Sequence, residues 1–257
     1  MKHILLLMML TLGVMASVIK LPVQSVDENN NTVSVNISHI DIGMSGFIVH
    51  KIAPEHTSIL KNVVVVAFDE DTQTATLKMT PYNDLRNNSL PTGKWKVQVA
   101  TDEVQLAFGY TRALLISPSE EIYHRISKAI KIQWIHPDLF ATILSFRGHP
   151  TPLKEDFDAM AISGSVGLLY VYLEQKLYTL DIRSFKILSI TDAPLTQDSV
   201  KLPFYSRVDK IDANWFGAGS DELESYEPYY YQLLDRYNKD NKEFQEILEA
   251  RKVGKEK

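Results

Sequence analysis

Apolar and polar positions alternate in short runs along the first hundred residues. After the polar turn Asp27 to Asn31, Val33, Val35 and Ile37 alternate with Ser34 and Asn36, the period-two signature of a half-buried strand. Phe47-Ile48-Val49, Val63 to Phe68 and Thr74 to Met79 continue the series, and Asp69-Glu70-Asp71-Thr72 is the turn between the last two. Gly43-Met44-Ser45-Gly46 supplies backbone freedom for a tight turn or a close approach. A binding edge is the alternative there, but no phosphate-loop pattern surrounds it. Strands of this length and spacing predict a small β barrel or sandwich over residues 17–99.

Asn83 to Gly93, rich in Asn, Pro and Gly, predicts a long loop and a domain boundary. Residues 100–220 then read as an α+β domain. Val104 to Ile116 is apolar enough for buried strand. Ser117-Pro118-Ser119-Glu120 predicts a capping box, with Ser117 as cap, Pro118 in the first turn and a helix to about Lys131. A second helix opens at Pro137 and closes at Gly148, and a third opens at Thr151-Pro152 and crosses Leu153 to Ala161. Val166 to Leu173 and Leu177 to Ile182 are two strands joined at Glu174-Gln175-Lys176, with a third at Ile187 to Ile190. The fold class is therefore α+β. In residues 221–257, Leu233, Leu234, Tyr237, Phe244, Ile247 and Leu248 recur at helical spacing among charged residues. They predict an amphipathic C-terminal helix that frays into a short basic tail from Arg251.

The segment before all this changes where the chain is expected to act. Lys2-His3 precedes an apolar run from Ile4 to Met15, and Val14-Met15-Ala16 offers a cleavage site, so residues 1–16 read as a signal peptide for export. The run is too short to span a bilayer easily, and no later segment is long and apolar enough to do so. Cysteine is absent, which excludes disulfide staples, a cysteine nucleophile and a lipid-anchor site after the signal. The net charge of −5 becomes roughly −6 without Lys2, which argues against nucleic acid as a partner.

Catalytic patterns are weak. His136-Pro137-Asp138 and His149-Pro150 lack zinc-ligand spacing and read as cap or turn residues. Glu155, Asp156 and Asp158 suit the first turn of a helix through its dipole. Ser163-Gly164-Ser165-Val166-Gly167 lacks the first glycine of a nucleophile elbow and runs from helix to strand, the wrong order. Tyr226 and Tyr229-Tyr230-Tyr231 are core rings at helical spacing, with a glycan- or peptide-binding face as the alternative. Neither catalytic residues nor cofactor or metal ligands are expected. An exported hydrolase would instead need paired carboxylates, or serine and histidine within hydrogen-bond reach, in a cleft.

Several strings carry a resemblance. Ile135-His136-Pro137-Asp138-Leu139-Phe140, Gly148-His149-Pro150-Thr151-Pro152-Leu153 and Val166-Gly167-Leu168-Leu169-Tyr170 resemble the N-terminal domain of bacterial plasminogen-binding surface proteins. Lys176-Leu177-Tyr178, Asp181, Ser184-Phe185-Lys186 and Trp215-Phe216 add to it. The resemblance implies a non-enzymatic protein of the periplasm, outer membrane or cell surface that binds host plasminogen through lysines at its C-terminal end. A kringle's lysine pocket pairs acidic groups with an ammonium and basic groups with a carboxylate, between aromatic walls. Lys257 as the last residue offers both charges, whereas Lys252 and Lys255 need a neighbouring carboxylate such as Glu256. The resemblance also implies a longer lysine-rich tail after this domain than the few residues expected to follow the helix here. The alternative function is a periplasmic scaffold that docks envelope proteins.

Overall fold

The computed structural model describes residues 18–84 and 95–255, with side chains through Lys252; the expected signal peptide, most of the Asn83 to Gly93 loop and Lys257 lie outside the described residues. The alternating segments form one antiparallel sheet from β1 (Ile19–Pro22), β2 (Ser25–Asp27), β3 (Thr32–Asn36), β4 (Ser45–Ala53), β5 (His56–Asp69), β6 (Thr74–Pro81) and β7 (Glu103–Leu106). Its seven strands run in the order β1-β7-β4-β5-β6-β3-β2 and curl into a half-barrel. The acidic turn between β5 and β6 forms as the sequence implies, since Asp69 Oδ1 accepts the amides of Asp71 and Thr72.

A second sheet, of five strands, comes next in a segment that runs β8 (Arg112–Ile116), α1 (Glu120–Ala129), β9 (Gln133–Ile135), α2 (Pro137–Arg147), α3 (Lys154–Gly164), β10 (Leu168–Leu173), β11 (Lys176–Asp181) and β12 (Ile187–Asp192). The order β12-β11-β10-β8-β9 is parallel at β10–β8 and β8–β9. Two helices, α4 (Tyr226–Tyr237) and α5 (Lys242–Lys255), end the described chain. The apolar stretch Val104 to Ile116 is thus two strands in different sheets, not one. Ala107 and Gly109 turn the chain between them in left-handed conformations, at φ +59° and +79°. Hydrophobicity alone cannot reveal such a break, because both halves are buried.

The central strands β8, β10 and β11 of the second sheet are largely buried on both faces, and all six residues of β10 are buried. Ala113, Leu115, Leu168, Tyr170 and Tyr172 join the half-barrel and α1 in one core. Their alternate neighbours Leu114, Ile116, Leu169, Val171 and Leu173 pack with α2, α3, α4 and α5 in another. Buried Asp181 ties the sheets together. Its Oδ2 accepts the Ser45 amide (2.9 Å), the Ser45 hydroxyl (2.6 Å) and the Tyr110 hydroxyl (2.9 Å), while Oδ1 accepts the amides of Arg183 and Ser184. The Ser184 hydroxyl donates to Gly43 O across the same joint. The glycine segment makes the expected close approach: a Cβ on Gly46 would lie 2.0 Å from Gln105 O.

Helix starts differ from expectation where tertiary bonds claim the first residues. Ser119, not Ser117, caps α1, because the carbonyls of Ser117 and Pro118 accept the amides of Tyr205 and Lys201. Leu153 occupies the cap position of α3, since the Thr151 amide and hydroxyl donate to the carbonyls of Gly219 and Asp221. By contrast α2 starts at Pro137 behind His136 and stops at Gly148, φ +70°, as the sequence implies.

Candidate functional site

The lysines singled out by the resemblance lie on or beyond α5, so what holds α5 decides how they are presented. The tyrosine run forms its foundation. Tyr226, Tyr230 and Tyr231 are buried in the second core, as the packing reading requires. The hydroxyls of Tyr226 and Tyr230 donate to Tyr172 O and Pro203 O, both at 3.0 Å, and burial pushes both phenols well above their ordinary range. Tyr229 donates to Pro152 O and is pushed up to about 12 by burial.

The C-terminal helix expected from sequence is two helices, broken at buried Asn238. Its Oδ1 accepts the Ile187 amide at 2.8 Å, and its Nδ2 donates to Phe185 O and Leu234 O. These bonds to the β12 edge replace the next helical turn. Asn241 then starts α5 by accepting the Phe244 amide at 3.0 Å. Phe244 is fully buried, and Ile247 and Leu248 pack against the same core.

Arg251 corrects the expectation of a fraying tail. Its Nε donates to both Glu174 oxygens at 2.9 and 3.0 Å, and its guanidinium lies 4.3 Å from the Tyr231 ring centre. The helix continues to Lys255. Lys252 is exposed one residue beyond this anchor, with its charge near Asp235. Asp235 is held below the usual carboxylate range mainly by a bond from Lys239, then by one from Gln245. Lys255 ends α5, and Lys257 lies outside the described residues. The structure therefore brings Lys252 and Lys255 onto one anchored helix. An open pocket of about 460 Å³ adjoins the anchor, lined by Glu174, Glu224, Glu227 and Tyr226 among others.

His136 and His149 serve local structure. His136 Nδ1 accepts the Asp138 amide at the start of α2. His149, just past Gly148, faces Asp156 at 2.9 Å. His149, Glu155 and Asp156 converge closely enough to suggest a cation site. Arg147 already places its positive charge there, with Nε donating to Asp156 and Nη2 to Glu155, and Asp156 Oδ2 accepts the Leu153 amide. That donor set is occupied by the protein's own groups. His50 and buried Asp102 approach to 2.5 Å beside Trp95. Among the described residues no serine hydroxyl bonds a histidine ring, and Asp102 Oδ2 accepts the Gln98 amide. Ser165 succeeds α3 in a left-handed turn before β10, the helix-to-strand order read from sequence.

A family model described as "Plasminogen-binding protein pgbA N-terminal" matches residues 18–234. That span holds both sheets and most of α4 and ends before α5. No curated protein and no solved structure matches the chain.

Proposed function

The chain belongs to the plasminogen-binding protein pgbA N-terminal family, and from that premise we propose an exported, non-enzymatic bacterial protein that engages host plasminogen through lysines at the end of α5. The carrying observation is the Arg251 anchor. It ties the base of the lysine-bearing segment to Glu174 and Tyr231, so that Lys252 and Lys255 extend from a fixed point. Lys252, Lys255 and Lys257 supply the ammonium that a kringle pocket takes, and Glu249 or Glu256, close to them in sequence, supplies a carboxylate.

Among the described residues no helix is long and apolar enough to cross a membrane. The proposed placement at the envelope or cell surface therefore rests on residues 1–16 and on the family. Removal of residues 252–257, leaving Arg251 in place, is expected to abolish plasminogen binding without lowering thermal stability. A lysine analogue should displace the full-length protein. Binding that survives both treatments would refute the mechanism. Protease treatment of intact cells separates this reading from a periplasmic scaffold for envelope proteins, which would be protected.

A further inference from the structure

The most exposed aromatic residues in the described chain lie at one place, far in sequence from α5. Trp215 is 100% exposed, Phe146 93% and Phe216 87%. They are not carried on a loose loop. The Asp212 amide donates to the Ser145 hydroxyl at 3.0 Å, and the Asn214 amide donates to Gly148 O at 3.0 Å. Asn214 Nδ2 donates to Arg147 O at 2.8 Å, and beyond the tip the Thr151 amide donates to Gly219 O at 3.1 Å. Both sides of the 215–216 tip are thus fastened around the C-terminal end of α2, next to Phe146. Exposing three large rings while fixing the backbone beneath them forgoes their burial, and such patches mark interaction surfaces.

The surrounding charge selects the partner. The arginine at this end of α2 is spent, Arg147 pairing with Asp156 and Glu155, and Arg207 pairs with Asp138 at the opposite end of the helix. Asp209, Asp212, Asp221 and Glu222 are exposed and form no ion pair among the described residues, with Lys210 the single opposing charge in that stretch. A surface that joins exposed aromatic faces to uncompensated carboxylates is complementary to lysine and arginine side chains, which combine cation–π contact with charge attraction.

We infer that the Phe146–Trp215–Phe216 surface docks a basic protein segment, a second interface independent of the α5 lysines. The test is fluorescence anisotropy of a labelled lysine- and arginine-rich peptide titrated with the full-length protein, beside an acidic peptide and neutral phosphatidylcholine vesicles. The basic peptide is expected to bind, and binding should weaken with salt. Its affinity should fall at least about tenfold in a Trp215→Ala/Phe216→Ala variant, and Trp215→Tyr should retain most of it. Asp209→Asn/Asp221→Asn/Glu222→Gln should weaken binding and reduce the salt dependence. All these positions are exposed, so circular dichroism and thermal unfolding should match those of the parent. No binding of the basic peptide, equal binding by the Trp215→Ala/Phe216→Ala variant, or preferential capture by the vesicles would each overturn the inference.

Discussion

At the residue scale, the group with most to lose is Asp181. It is fully buried and accepts five hydrogen bonds from both sides of the joint between the sheets. Asp181→Asn turns one acceptor into a donor facing donors, and should cost about 3 kcal/mol in urea unfolding; a loss below about 1 kcal/mol would show that the joint lies elsewhere. The buried tyrosines set an alkaline limit. Their folded-state affinity for the proton is raised by burial, so the stability they contribute is fully present below the ordinary phenol range near 10 and is lost as pH rises above it. Phenolate absorbance of the native protein should lag behind that of the unfolded chain and then rise with cooperative unfolding. The importance of Asp181 was not legible in sequence, because its partners Ser45 and Tyr110 are brought to it only by the packing of two sheets. His136 and Gly148 were legible, since a cap and a left-handed helix end depend on neighbours a few residues away.

At the element scale, Asn238 joins α4 to α5, the helix that carries Lys252 and Lys255. Asn238→Ala should cost about 2–3 kcal/mol by orphaning the Ile187 amide and the Phe185 carbonyl. It should also raise amide hydrogen exchange in α5 more than in β10. Equal change in both elements would mean that α5 is no separate unit of stability. Arg251→Ala should cost less, about 1 kcal/mol, because the lost pair with Glu174 is partly solvent-exposed and the stacking on Tyr231 is a single contact. The periodicity of residues 226–248 correctly located a helical face but did not separate two helices, since Asn238 is fully compatible with a helix until β12 claims its side chain. Strands β3 to β6 and β10 to β12 were readable from period and turn residues, whereas β1 and β2 are too short to show a period of their own. The split of Val104 to Ile116 between sheets was not, because partner choice in a sheet is a long-range property.

At the scale of the whole molecule, layers of half-barrel, mixed sheet and helices share two cores that meet on the faces of one sheet. The α+β class was legible because strand and helix periods are local. The family match ends at Leu234, so the body and the α5 lysines are separable in sequence although Arg251 fastens them in space. The lysine-bearing end of the chain is accordingly proposed to act as a ligand carried by a folded base. Its contribution should depend on the positive charges rather than on the stability of that base.

The most direct measurement is the affinity of plasminogen for the full-length protein and for a Lys252→Ala/Lys255→Ala/Lys257→Ala variant, each with and without a lysine analogue. The expected result is saturable binding by the parent that the analogue removes, and at least about a tenfold loss in the variant with unchanged thermal unfolding. Equal affinity of the two proteins, or parent binding that the analogue leaves untouched, would show that these lysines are not the plasminogen ligand.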